Sequence, residues 1–409
     1  MAPGRTLVSL LALASAAFAA PTVVIDEPTV KVNLARHNVN LEKGGYDVLA
    51  HDRARLANFK EKAAAKASLT ERTASAAATN AVTYYSLAVE VGSPATTYDL
   101  IVDTGSSNTW VGATTKYKAT STSTDTREKV SVSYGSGSFS GTEYTDTVSL
   151  GTGLTITKQS IGVASRSEGF TGTDGIVGIG PTILTEDTVS GVTEVPTVTD
   201  NLYTQGIITE KVVGIYFQPP SGTSEAQVNG ELTFGGVDTT KATSAITYTP
   251  ITTTEPASYY WGIDQSITLG GETIMTTTAG IVDTGTTLLY LPENTYDSYV
   301  SATGATLDEN TGLLTVGSES DLQSLYFTIG GTEFELTANA QIWPRDLNTL
   351  IGGEANSIYL VVASTGEDEG SGLDFINGYV FLERFYSVFD STNNQVGFAT
   401  TSYTDATTN

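Results

Sequence analysis

Ile101-Val102-Asp103-Thr104-Gly105-Ser106-Ser107 recurs 180 residues later as Ile281-Val282-Asp283-Thr284-Gly285-Thr286-Thr287. Each copy runs from apolar residues into Asp-Thr-Gly and then into two hydroxyl residues. A single Asp-Thr-Gly is an ordinary turn, in which Asp accepts backbone N–H bonds and Gly permits positive φ. Two copies at domain spacing, each led by a strand-like apolar run, indicate a duplication. A second matched segment follows each copy in the same order: Asp174-Gly175-Ile176-Val177-Gly178 and Asp374-Phe375-Ile376-Asn377-Gly378. The expected fold is therefore all-β and bilobal, with two similar lobes related by an approximate twofold axis.

The remainder of the body agrees. Of the 409 residues, 41 are glycine and 39% are hydrophobic, and β-branched and aromatic runs recur. Strand patterns cover Val82 to Val91, Val130 to Tyr134, Ile246 to Tyr248 and Ser266 to Leu269. Few helices are expected. One starts at Pro292, with Tyr296, Tyr299 and Val300 on one face and Gly304 as its stop, and another covers Val198 to Tyr203. The lobes are assigned to residues 76–245 and 246–409.

The first 75 residues differ from the body. Residues 1–20 read as a signal peptide: Arg5 precedes the apolar run Leu7 to Phe18, and Ala17-Phe18-Ala19 is a small-x-small cleavage site. Residues 21–75 carry 9 Lys and Arg against 7 Asp and Glu, whereas residues 76–409 carry 10 against 38. Tyr46 to Ala67 has Leu49, Leu56 and Phe59 at near-helical spacing. A basic segment ahead of an acidic body suggests a removable propeptide docked by charge; a solvated leader with no partner is the plainer alternative. Thr73 to Thr79 has the Ala/Ser/Thr composition of an exposed, cleavable junction.

Composition excludes several functions. The net charge of −25 argues against nucleic acid, whose phosphates need clustered Lys and Arg, and against anionic membranes. It reflects either solubility or adaptation to acid. There is no cysteine, so thiol catalysis and thiolate metal sites are excluded. The two histidines, His37 and His51, lie in the leader. Once that is removed, Ser-His-Asp catalysis and His-ligated zinc are excluded too. No metal and no cofactor is expected. No Asn-x-Ser/Thr acceptor occurs.

Carboxylates and hydroxyls are what remain for chemistry. If the twofold brings the turns together, Asp103 and Asp283 face each other. At about 3 Å and an effective dielectric of about 20, two such charges repel by about 5 kcal/mol, roughly 4 pKa units. The pair would then hold one proton, offering a base for a bound water and an acid for a carbonyl oxygen. Gly105 and Gly285 let backbone N–H groups approach the carboxylates. Ser106 and Thr286 either fix the outer carboxylate oxygens or simply cap the turns. Tyr134-Gly135-Ser136-Gly137-Ser138-Phe139-Ser140-Gly141 lies between two strand patterns and reads as a hairpin able to close over a cleft. Trp110 either packs beneath Tyr134 or is a plain core tryptophan.

Together these segments resemble the pepsin-like aspartic peptidase family along essentially the whole chain. The lack of cysteine, with Ser131 to Val148, Ala338 to Pro344 and Phe381 to Phe389, is similar to secreted fungal members. In that family two aspartates share one proton. The resemblance implies an aspartic endopeptidase, made as a zymogen, exported, and acting as a monomer on proteins and peptides. It implies that Asp103 and Asp283 hold the water. Tyr134, Gly135, Ser136 and Gly137 would form the flap. Gly105, Gly285, Thr286 and Thr287 would line the cleft, and Ile176 would stand near an apolar subsite. A propeptide would block the cleft until acid releases it, with Lys31, Lys43, Lys60, Lys62 and Lys66 as candidates to neutralise the aspartates. Two positions depart from the family: Asn377 replaces an aliphatic residue and Tyr379 an aspartate. The rival readings are a catalytically silent relative and a glycan-binding or structural β-protein, which would leave the matched Asp turns unexplained.

Overall fold

The computed structural model describes residues 29–38, 47–68, 83–222 and 226–409. The signal segment, the junction at residues 73–79 and Lys43 lie outside them. The architecture is bilobal and mostly β-sheet. Its first elements are strand β1 (Val30–Asn38), helix α1 (Val48–Ser68), and strands β2 (Thr83–Val91), β3 (Thr96–Asp103), β4 (Trp110–Val111), β5 (Thr124–Ser133), β6 (Ser138–Ser149), β7 (Thr155–Glu168) and β8 (Gly175–Gly178).

Among the described residues the largest sheet has thirteen strands and contains β1 to β8. It also takes in Phe385–Asp390 and Gln395–Thr400, so it joins the first half of the chain to its last strands. A seven-stranded sheet in the second half contains Gly262–Leu269, Glu272–Val282, Ile376–Asn377 and Leu289–Leu291. The two expected body helices are present. Val198–Thr204 starts at a Thr197/Asp200 capping box. Glu293–Thr303 follows Pro292 and ends at Gly304, whose φ of 65° forms a left-handed cap.

The leader is built into this framework. In β1, Val32, Leu34 and Arg36 are buried while Lys31 and Asn33 are exposed, the alternation of a half-buried strand. It pairs antiparallel with Ala226–Phe234 on one side and β2 on the other. Arg36 donates from Nε to Glu383 at 3.1 Å, and Tyr85 donates its hydroxyl to the same carboxylate at 2.9 Å. In α1, Val48, Leu49, Asp52, Arg55, Leu56 and Phe59 are buried at three- and four-residue spacing, which is one helix face. Four polar residues, His51, Asp52, Arg55 and Asn58, are buried on the face that docks into the body.

Candidate active site

Each repeated Asp stands at or just beyond the end of a strand in its own lobe. Asp103 ends β3, which runs parallel to β8 from the pair Leu100↔Gly175 to Asp103↔Gly178. Asp283 follows Glu272–Val282, which runs parallel to Ile376–Asn377. The loops meet through reciprocal bonds. Thr104 N–H donates to Thr284 Oγ1 at 2.9 Å, and Thr284 N–H donates to Thr104 Oγ1 at 2.9 Å. Each threonine hydroxyl then donates across the junction, to Val282 O at 3.1 Å and Val102 O at 2.9 Å. Such an exchange requires a local twofold axis.

The carboxylates are consequently buried side by side. Gly105 N–H donates to Asp103 Oδ1 at 3.0 Å, and Gly285 N–H donates to Asp283 Oδ1 at 3.0 Å. Ser106 and Thr286 donate their hydroxyls to the other oxygen of each carboxylate. A Cβ at Gly105 would lie 2.5 Å from Asp283 Oδ1, and one at Gly285 would lie 2.5 Å from Asp103 Oδ1. Only glycine lets the turns come this close.

The group that spans both carboxylates is Arg55 of α1. Its Nε donates to Asp283 Oδ2 at 2.7 Å, and its Nη2 donates to Asp283 Oδ1 at 2.9 Å and also to Asp103 Oδ1. This corrects the expectation of a lysine. Lys31 pairs with Asp238, Lys60 pairs with Glu367 at 2.8 Å, and Lys62 lies over the Tyr134 ring at 5.8 Å. The side chain of Lys66, like Lys43, is outside the described residues. A guanidinium fork can serve two carboxylates at once, where an ammonium is a point charge. The signal for Arg55 lay in its helix position, between Asp52 and Phe59 on the apolar stripe; the charge count alone could not single it out.

Burial raises both carboxyl pKa values, but the partners separate them. Asp103 stays above its ordinary range because burial and the Asp283 charge outweigh Arg55. For Asp283, Arg55 and the bonds from Thr286 and Gly285 overcome burial and hold it below. Burial alone would lower Arg55; the two carboxylates hold it above its ordinary value.

The remaining expected residues surround this point. β5 and β6 form the hairpin, closed by Tyr134 N–H donating to Gly137 O at 2.8 Å. Gly135 has φ of 77°, and a Cβ there would lie 2.0 Å from Ala54 O of α1. The flap tip thus rests directly on the leader helix. Trp110 does pack against Tyr134, with ring centroids 6.5 Å apart, and stacks more closely on Phe139 at 4.3 Å. Tyr134, Ser136, Ile101, Phe170 and Ile176 line the recess beside Asp103. Thr287 is engaged by the leader: its N–H and that of Leu288 donate to Asp52, the latter at 2.8 Å. Asn377, the departure behind Asp283, forms a two-bond amide pair with Gln265. Tyr379 is buried edge-on to Tyr85, with centroids 5.9 Å apart.

With this geometry in hand, sequence and structure comparisons agree. The family model described as "Eukaryotic aspartyl protease" matches residues 84–401. This chain belongs to the eukaryotic aspartyl protease family. It is 62% identical to polyporopepsin of Irpex lacteus over 308 residues, covering 74% of this chain and 90% of that protein. It is 33% identical to rhizopuspepsin-1 of Rhizopus niveus over 293 residues, covering 70% and 68%. Human gastricsin is also 33% identical, over 277 residues and 65% of each chain. The crystal structure of the Irpex lacteus aspartic proteinase superposes with a TM-score of 0.77, covering 80% of this chain and 96% of that one. The chain is thus an enzyme of the aspartic endopeptidase class with the pepsin-like bilobal fold. Among the described residues no helix is long and apolar enough to cross a membrane.

Proposed function

We propose that this chain is the inactive precursor of a secreted endopeptidase that cleaves proteins at acidic pH, with Asp103 and Asp283 as its catalytic pair. In this reading residues 1–20 direct export and residues 21–75 are the propeptide. Residues 76–245 and 246–409 form the enzyme. The observation that carries it is Arg55, which occupies the space between two carboxylates held face to face by the Thr104 and Thr284 bonds. A cation there neutralises the pair and fills the position a reacting water needs.

Removal of α1 would open that position. One water then lies between the carboxyls, which together keep a single proton. The ionised carboxylate takes a proton from the water as its oxygen bonds to the peptide carbonyl carbon. The protonated partner gives its proton to the carbonyl oxygen, forming a neutral gem-diol. Collapse returns a proton from the diol to one carboxylate while the other carboxyl protonates the departing nitrogen, breaking the C–N bond. Both transfers come from side chains, so no cofactor is called for. Tyr134, Gly135, Ser136 and Gly137 would close over the peptide. Ile176 and Ile101 would face an apolar side chain, and Gly105, Gly285, Thr286 and Thr287 would border its backbone.

The test uses acid-treated protein and casein at roughly pH 3–5, where one proton should reside on the pair, with and without pepstatin. Cleavage should appear after acid treatment, be blocked by pepstatin, and fall at least about a thousandfold in Asp103→Asn and in Asp283→Asn. Undiminished cleavage by either variant would overturn the assignment.

A further inference from the structure

The two Asp strands are supported unequally. In the first half β8 accompanies β3 for four registered pairs, ending at Asp103↔Gly178. Beyond them Ile179 N–H donates to Asp103 O at 2.9 Å. In the second half the registered pairs are Ile281↔Ile376 and Val282↔Asn377. They are preceded by Asp374 N–H donating to Ala279 O at 2.9 Å and Ile281 N–H donating to Phe375 O at 3.1 Å. Tyr379 N–H turns away to Thr286 O, whereas Ile179 N–H bonds to Asp103 O. The last tie is Asp283 N–H donating to Asn377 O at 3.1 Å. The main-chain position of Asp283 thus depends on Asn377.

The side chain of Asn377 supplies what the short strand lacks. Its Nδ2 donates to Gln265 Oε1 at 2.9 Å, and Gln265 Nε2 donates back to Asn377 Oδ1 at 3.2 Å. Both residues are fully buried. Gln265 lies on Gly262–Leu269, which flanks the Asp283 strand on the side opposite Ile376–Asn377. The amide clasp therefore spans the strand that leads into Asp283. The register-matched residue of the first half is Val177, opposite Val102. Counting from the matched pairs Ser86↔Ile101 and Gly262↔Ile281, Val89 stands where Gln265 does. The first half is aliphatic at both positions.

Stability gives no reason for the change, because two buried amides that satisfy one another are close to neutral against a well-packed aliphatic pair. They differ in direction: the bonds form in one register only. A one-residue slip would turn Asn377 to the other face of the sheet and leave both amides buried and unpaired. We propose that Gln265 and Asn377 are positioning residues that fix the strand register of Asp283, and so its approach to Asp103. The inference rests on Asp283 being half of the catalytic pair.

The experiment compares the mature enzyme with the double variant Gln265→Leu/Asn377→Leu, with Gln265→Glu, and with Asp283→Asn, measuring melting temperature, kcat, KM and the pH profile. The double variant should melt within about 3 °C of the native enzyme, since it leaves no orphaned amide. Its kcat should fall about tenfold with KM unchanged, and its pH limbs should move as the carboxyl spacing loosens. Gln265→Glu should work while its buried carboxyl is protonated, since an acid can replace the amide in both bonds. It should lose kcat as pH rises and that carboxyl ionises, ahead of the native enzyme. A double variant with native kcat and pH profile overturns the proposal. If that variant does not fold, a native pH profile in Gln265→Glu overturns it. Asp283→Asn separates the two levels: inactive, it leaves the clasp to be judged alone; active, it overturns the catalytic reading beneath it.

Discussion

The two halves of the candidate active site share one loop and differ in how they hold it. Both turns place Asp against the N–H of the glycine two residues on, and both exchange the same threonine bonds. Behind them the first half uses a four-residue strand and aliphatic side chains, and the second a two-residue strand and an amide pair. In front, Arg55 bonds twice to Asp283 and once to Asp103. Duplication therefore fixes what the chemistry requires, the turn and its threonine exchange. The surroundings are free to diverge and to give two identical carboxyls different proton affinities.

Removing Arg55 should have the largest effect on this asymmetry. Asp283 is held below the carboxylate range with Arg55 in place, so its ion pair stabilises the fold above the unfolded pKa of about 3.9. That stability is lost as pH falls through the lower folded value. Asp103 is held above its range and takes its proton earlier on acidification. Arg55→Leu should lower the stability of the full chain by about 3–5 kcal/mol at pH 7, because it leaves buried charge unpaired. The deficit should fade toward pH 3, as urea unfolding across pH would report. Arg55→Lys should recover only part of it. A deficit constant with pH would contradict the ion-pair account.

The shared part of the loops makes the opposite demand. Thr104→Val and Thr284→Val each remove two buried cross-lobe bonds and orphan one N–H, so each should cost about 2–4 kcal/mol. By symmetry the two costs should agree within about 1 kcal/mol. Unequal denaturation midpoints would mean that the junction is less twofold than the bonds imply.

Away from the loops, the first half carries a cost of its own. Glu143 of β6 is buried, accepts from Ser160 Oγ at 2.5 Å, and its second oxygen has no partner among the described residues. Burial pushes its carboxyl up to about 7. A raised carboxyl keeps its proton in the folded state, so stability declines as pH rises from about 4.5 to about 7 and then levels. Glu143→Gln should remove roughly 3 kcal/mol of that decline, read as melting temperature of the mature enzyme at pH 4 and pH 8. Smaller still, Ser106→Ala and Thr286→Val should each move one limb of the kcat profile by about one pH unit, a hydroxyl bond to a carboxylate being worth about 1.5 kcal/mol. An unmoved profile would reduce both hydroxyls to turn caps.

Much of this was legible in the sequence because it is written in local pattern. The repeated Asp turns, the glycine-rich hairpin, Pro292 and Gly304 at a helix's two ends, and the apolar stripe of α1 all lie within a few residues of chain. What escaped depends on distant pairing. Gln265 and Asn377 are 112 residues apart, and nothing local to either names the other. The leader's place as a strand inside the largest sheet is marked by the alternation of Val30, Val32 and Leu34, but its neighbours cannot be read from it. Arg55 was one of nine basic residues in its segment, and only helix docking distinguishes it.

Neutron diffraction from crystals of the mature enzyme, grown in deuterated buffer near pH ~4.5, tests the account at its centre. One deuteron shared between the inner oxygens of Asp103 and Asp283, with a water bridging them where Arg55 had been, is the predicted result. Carboxyls both fully deuterated, both bare, or too far apart to bridge through one water would contradict it.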